Sequence, residues 1–170
     1  MISITAIMHN DIQVKMAYRA IDDLFLGPGR EDLNYLAALP VVRAAQGYAP
    51  VDLGHLQASI HADSHDISET ETVTFVGSDL PHADAMERGT GVFIGKEPHW
   101  PPGYALEGWA RRHGFPSGAF VARIIGERGG LEPRWYLRTA LQDKEWAVVA
   151  TYADAIVEAI DNVFRYSDVG

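Results

Sequence analysis

Ser59-Ile60-His61-Ala62-Asp63-Ser64-His65, followed after a short linker by Thr70-Glu71-Thr72-Val73-Thr74-Phe75-Val76-Gly77, decides the fold class. The second run is rich in β-branched residues and alternates, as a half-buried strand requires. The linker Asp66-Ile67-Ser68-Glu69 has the length of a hairpin loop, so residues 59–65 and 70–77 predict an antiparallel pair. Most of the chain on either side predicts helix. The expected class is therefore α+β: a small antiparallel sheet with helices packed on one face and a long C-terminal helix as its main support.

Upstream of the pair, residues 3–8 alternate enough for a short strand. Asn10 or Asp11 can cap the helix that follows, whose apolar face is Val14, Ala17, Tyr18, Ile21, Leu24 and Phe25. Gly27-Pro28-Gly29 stops it. Residues 31–46 form a second helical stretch in which Pro40 predicts a kink or break and Gly47 an end. A proline-led turn at residues 48–54 then delivers the chain into the first strand run.

Downstream, residues 81–88 predict a short helix ending at Gly89, and residues 91–102 a loop suited to contacting a partner. Residues 104–113 and 117–127 read as two short helices. Pro133 fits the first turn of a last, long helix running to about residue 165, with Leu137, Ala140, Leu141, Val148, Val149, Tyr152, Ile156 and Ile160 at helical spacing. With 170 residues and 47% hydrophobic content, one ordinary domain is expected.

Composition removes several function classes. There are no cysteines, so disulfides and thiolate chemistry are excluded. A formal net charge of -9 repels phosphate backbones, which argues against sequence-specific nucleic-acid binding. No stretch approaches the ~20 apolar residues of a bilayer-spanning helix, and the apolar start lacks the basic flank of a signal peptide. The expectation is a soluble protein made in the cytoplasm. The charge is uneven: residues 101–139 hold six arginines against three glutamates, and residues 140–170 six acids against two bases. Two solvated faces of one monomer, or a head-to-tail contact between copies, both fit this asymmetry.

Few residues are arranged for chemistry. His55, His61, Asp63 and His65 lie close in sequence, and strand geometry puts 61, 63 and 65 on one face. A metal-dependent hydrolase using these four is the alternative functional reading. The same alternation describes the wet side of a half-buried strand, and no His-Glu-x-x-His helix accompanies it. Gly27-Pro28-Gly29 and Gly89-Thr90-Gly91 lack the Gly-Lys-Ser/Thr of a phosphate loop and read as turns. Ser59 sits in no nucleophile elbow. No catalytic residue and no cofactor is expected.

Three segments carry a resemblance. Residues 49–60 (Ala-Pro-Val-Asp-Leu-Gly-His-Leu-Gln-Ala-Ser-Ile) are similar to an "Ala-Pro-x-Asp-Thr-Gly-x-Leu-x-x-Ser-Ile" motif, with Leu53 in place of the Thr. Residues 82–90 (His-Ala-Asp-Ala-Met-Glu-Arg-Gly-Thr) resemble "Tyr-Ala-x-x-x-Glu-x-Gly-Thr". Residues 132–141 (Glu-Pro-Arg-Trp-Tyr-Leu-Arg-Thr-Ala-Leu) resemble "x-Pro-x-Pro-Phe-Leu-Arg-Pro-Ala-Leu" at the start of a C-terminal helix. In this order they resemble the tail-component family of long-tailed bacteriophages, also described as tail-completion or head-tail joining proteins. The segment from residue 91 to 130 resembles an insertion seen in some members.

The resemblance implies a structural protein of the virion. It would be a homo-oligomeric ring in the neck, sixfold by expectation, between a head-side connector or head-closure protein and a tail-tube or tail-terminator protein. Physical reasoning on the motifs agrees with a scaffold: Pro50 fixes a turn, Asp52 can accept backbone hydrogen bonds, and Gly54 permits a positive φ. Glu87, at a helix C-terminus, opposes the helix dipole and so calls for a cationic partner, for which Arg138 is the candidate. Gly89, Thr90, Arg111, Arg112 and Trp135 complete the set of motif and interface candidates, since Trp, Tyr and Arg are enriched at interfaces.

Overall fold

The computed structural model describes residues 11–167; the strand expected at residues 3–8 lies outside them. The order is α1 (Asp11–Leu26), α2 (Arg30–Tyr48), α3 (His55–Ser59), β1 (His61–Ser68), β2 (Glu71–Gly77), α4 (Ala83–Arg88), a 3-10 turn (Gly91–Ile94), α5 (Gly103–Arg112), α6 (Gly118–Glu127) and α7 (Tyr136–Ser167). It is a helix-rich α+β fold with one two-stranded antiparallel sheet and a long C-terminal helix packed against α2. Contacts divide the described residues into two compact units, one of residues 11–40, 62–75 and 144–167, the other of residues 41–61 and 76–143.

In the first unit, α1 ends where expected. The Gly27 N–H donates to Asp23 O at 2.9 Å, and a Cβ at Gly27 would lie 2.1 Å from that same oxygen. Only glycine closes the helix there. Phe25 stacks on Tyr152 of α7 with ring centroids 6.2 Å apart, and the Tyr152 hydroxyl donates to Asn34 Oδ1 on α2. Burial pushes the Tyr152 phenol above its ordinary pKa. Helix α2 corrects two expectations, for it runs unbroken past Pro40 and through Gly47. Proline costs a helix interior on the order of 3 kcal/mol. Leu33, Ala37, Ala38, Val41, Val42 and Ala45 are all buried at three- and four-residue steps on both sides of it, and that continuous face offsets the loss.

The hairpin starts later than the sequence suggests, because residues 55–59 form helix α3 and β1 opens only at His61. The connecting residues are Glu69 and Thr70 alone. Along β1, His61, Asp63 and His65 are exposed while Ala62 and Ser64 are half-buried, the alternation expected of one wet face. Ser64 and Thr74 hydroxyls meet across the pair at 2.8 Å. The tip is pinned to α2 by Arg30, which is buried to 6% exposure. Its Nε donates to Asp66 Oδ1 at 2.6 Å, and its Nη atoms donate to the Ser68 and Glu69 carbonyls. Glu31 Oε1 accepts the Asp66 N–H at 3.0 Å.

In the second unit, α5 and α6 pack closely. A Cβ at Gly118 would lie 2.1 Å from Gly103 O, and Glu107 Oε2 accepts the Gly118 N–H at 2.7 Å. Ser117 caps α6 by accepting the Phe120 N–H. Ala110, Val121 and Ile125 are buried between the two helices, with Leu106, Trp109 and Leu131 against them. Trp100 lies over Gly126, where any side chain would strike its ring. Residues 91–102 are therefore not wholly loop: Gly91–Ile94 make a 3-10 turn. Both Val92 and His99 N–H groups donate to Gly129 O.

Candidate functional site: a junction of three segments

The three segments that carry the resemblance meet in the second unit. Helix α4 is too short to satisfy its own C-terminal carbonyls, and α7 begins with N–H groups that have no partner within the helix. Each supplies what the other lacks. The Arg134 N–H donates to Met86 O at 2.9 Å and the Trp135 N–H to Glu87 O at 3.0 Å. The Glu87 carboxylate then accepts the Leu137 N–H at 2.8 Å and the Arg138 N–H at 3.0 Å. An anion at a helix N-terminus is favourable with the dipole, so the charge that opposes α4 stabilises α7.

This geometry corrects two expectations. Pro133 does not enter α7, because residues 134 and 135 are drawn out along the end of α4 and the helix starts only at Tyr136. Trp135, at the N-cap, takes φ +52°, a region that costs most residues on the order of 1 kcal/mol or more. Arg138 does contact Glu87, but through its backbone N–H. Its guanidinium carbon instead sits 5.2 Å from the centre of the Trp135 ring, within range of a cation–π contact.

Tyr136 anchors the junction. It is the largest fully buried side chain among the described residues, and its hydroxyl donates to Ala83 O at 3.4 Å. Burial pushes its pKa up, and the neighbouring Glu87 and Asp84 carboxylates add to the effect. Beside it the backbone of Gly89, Thr90 and Gly91 crosses that of residues 129–133. The Thr90 N–H donates to Leu131 O, and Thr90 Oγ1 accepts the Leu131 N–H, both at 2.9 Å. A Cβ on Gly89 would meet Leu131 O at 2.5 Å, and one on Gly91 would meet Gly129 O at 1.9 Å. The Gly-Thr-Gly sequence is a crossing point between two stretches of backbone.

Residues 50–56 border an open cleft of about 320 Å3, completed by His82, Met86, Trp109 and Arg112. Gly54 has φ +78°, as its position in the motif implies. Asp52 departs from expectation: its carboxylate takes both sides of the Arg112 guanidinium, with Nε donating to Oδ1 at 3.0 Å and Nη2 to Oδ2. A bidentate guanidinium outcompetes isolated backbone N–H donors for a carboxylate. It holds Asp52 below the ordinary carboxylate range and raises Arg112. His113 Nε2 lies 3.8 Å from Asp52 Oδ1, and its ring stacks on Trp109 at 4.2 Å, which also stacks on Phe115. Pro50 is half-buried at the cleft, while Arg111 is exposed.

The four residues of the alternative reading are not gathered. His65 Nε2 meets Asp63 Oδ2 at 2.9 Å on the exposed face of β1. His61 uses Nδ1 on Ser59 O, with Asp79 at 3.9 Å from Nε2, and His55 borders the cleft at the start of α3. Among the described residues, no three His, Asp or Glu side chains are grouped to hold a metal ion. Nor is any helix among them long and apolar enough to cross a membrane.

Sequence reasoning missed Arg30, Tyr136 and Glu107 as structural anchors. For Arg30 a signal existed, since a cation in the first turn of a helix opposes the dipole and demands an anionic or carbonyl partner. Tyr136 and Glu107 carry none that spacing reveals. No family model, no curated protein and no solved structure matches this chain.

Proposed function

We propose that this chain is a structural protein of a long-tailed bacteriophage virion, forming a homo-oligomeric ring in the neck that completes or terminates the tail and joins it to the head. The observation that carries the reading is the junction itself. Three sequence segments, spread over residues 49–141 and similar in order to a tail-component pattern, fall in one unit. Two of them are tied by reciprocal hydrogen bonds between α4 and α7, and the first borders a cleft shared with the second. Two of their carboxylates are spent on structure: Glu87 caps a helix and Asp52 grips Arg112. Such use suits a scaffold more than an acid–base site, in which a carboxylate must stay available to a substrate proton.

Large apolar side chains left in solvent add support. Val51 and Leu53, which border the cleft together, are 63% and 57% exposed, and apolar surface gathered beside a cleft suits a contact with a partner. The partners this reading names are further copies of the chain, a head-side connector or head-closure protein, and a tail-tube or tail-terminator protein. The test is a phage whose copy of this gene is interrupted. Filled heads and separate tails should accumulate, and adding the purified chain should join them. Complete particles from the interrupted phage would refute the proposal.

A further inference from the structure

The second half of α7 carries an apolar row turned away from its own unit. Trp146, Val149, Ala150, Ala153 and Val157 follow at three- and four-residue steps, and all are exposed, Trp146 to 80% and Val157 to 56%. Steps of three and four keep side chains on one side of a helix. The side that meets the rest of the unit is a different one, where Tyr152 contacts Phe25 and Asn34. Between Trp146 and Asp161 the helix also has three exposed acids, Asp154, Glu158 and Asp161, and no lysine or arginine.

The acids decide what can cover the row. Pairing it with the same row of a second copy would bring Asp154 and Asp161 from both helices to one seam, and like charges brought together at an interface are costly. An apolar surface with a basic margin complements it, and this chain has one. On the α5–α6 pair and the turn between its helices, Tyr104, Phe115 and Phe120 are 85%, 37% and 42% exposed; Arg111 on α5 and Arg128 at the end of α6 are exposed, while Arg123 is paired with Glu127 at 2.9 Å.

We propose that the acidic apolar row of α7 in one copy seats against the basic aromatic surface of α5–α6 in a second copy. The contact joins two different surfaces, so it repeats from copy to copy and gives a ring where the rotation between copies closes. This inference rests on the ring reading above and names the surfaces that build the ring.

The absence of cysteine makes the contact directly testable. Full-length Val157→Cys and Phe120→Cys proteins are mixed and mildly oxidised. The expected product is a disulfide-linked pair containing one of each, prominent over either symmetric pair and lost when Trp146→Glu is added to the Val157→Cys protein. In a second arm, Asp154→Arg/Asp161→Arg and Arg111→Glu/Arg128→Glu should each weaken self-association by about tenfold or more, and combining them in one chain should restore it. A Val157–Val157 disulfide alone would overturn the proposal. So would an oligomer in native mass spectrometry that forms no mixed disulfide, an outcome that leaves the ring reading intact. A wild-type chain that stays monomeric at every concentration, in the phage-active preparation, overturns both.

Discussion

Replacing Glu87 tests the reasoning about the junction more directly than any other change. Its carboxylate accepts two N–H groups at 2.8 and 3.0 Å. Hydrogen bonds to a charged acceptor contribute about 1.5–3 kcal/mol each at most, and losing an ordinary N-cap costs about 0.5–2 kcal/mol. Against this, Ala at position 87 removes an anion from the C-terminus of α4, which returns about 0.3–1 kcal/mol. The net expectation for Glu87→Ala is a loss of about 2–3 kcal/mol. For a chain of this size that lowers Tm by about 5–10 °C. Glu87→Gln keeps one acceptor oxygen and should lose about half as much. The decisive measurement is a double-mutant cycle with Arg138→Ala, read by thermal and urea unfolding. Because Glu87 holds the Arg138 backbone while the guanidinium lies over Trp135, the coupling should stay below about 0.5 kcal/mol, and Arg138→Ala alone should cost about 0.5–1 kcal/mol. A coupling above about 1 kcal/mol would mean that the side chains pair. A Glu87→Ala cost under about 0.5 kcal/mol would refute the cap.

Gly118→Ala places a methyl 2.1 Å from Gly103 O and should destabilise the α5–α6 pair by about 1–3 kcal/mol, whereas Gly95→Ala meets no atom within 4 Å and pays only for its positive φ; unfolding midpoints compare the two. Arg30→Met removes the donors that hold the hairpin tip, so amide exchange at residues 66–72 should accelerate while that of α6 stays unchanged; equal protection in the variant would show that the tip stands without Arg30. Asp66 is held below the ordinary carboxylate range by hydrogen bonds from Arg30 and Thr72, and Asp52 by the bidentate pair from Arg112. A lowered folded-state pKa gives stability that is fully present above the unfolded value, near pH 4, and is lost as pH falls through the folded value. Tm should therefore be level on the acid side down to about pH 5 and fall below about pH 4, with a shallower fall in the Asp52→Asn/Asp66→Asn variant.

Periodicity made the elements legible and long-range hydrogen bonds set their ends. The α+β class, the hairpin, α5, α6 and the long last helix follow from apolar spacing and turn residues, which are local. The first strand is expected from Ser59, but the positive φ at Gly54 starts a turn of helix that takes in Ser59, and the strand opens only at His61. The start of α7 was displaced by three residues because bonds to Met86 and Glu87, about fifty positions away, outweigh the local preference of Pro133 for a first turn. Glu87 illustrates both sides. Its unfavourable place at a helix end correctly announced a partner near residue 138, yet nothing in the sequence distinguishes a guanidinium from a backbone N–H.

The reciprocal bonding of α4 and α7 also orders events during synthesis. A ribosome adding about 5–20 residues per second needs roughly 3–10 s to pass from residue 87 to residue 137. Throughout that interval the nascent chain presents Glu87 and the open end of α4 with their eventual partners unmade. The first turn of α7 cannot be capped until position 87 is already in place, so the last helix is templated by the middle of the chain. The helix whose outer row is proposed to meet a neighbour therefore gains its capped first turn only after α4 has been made.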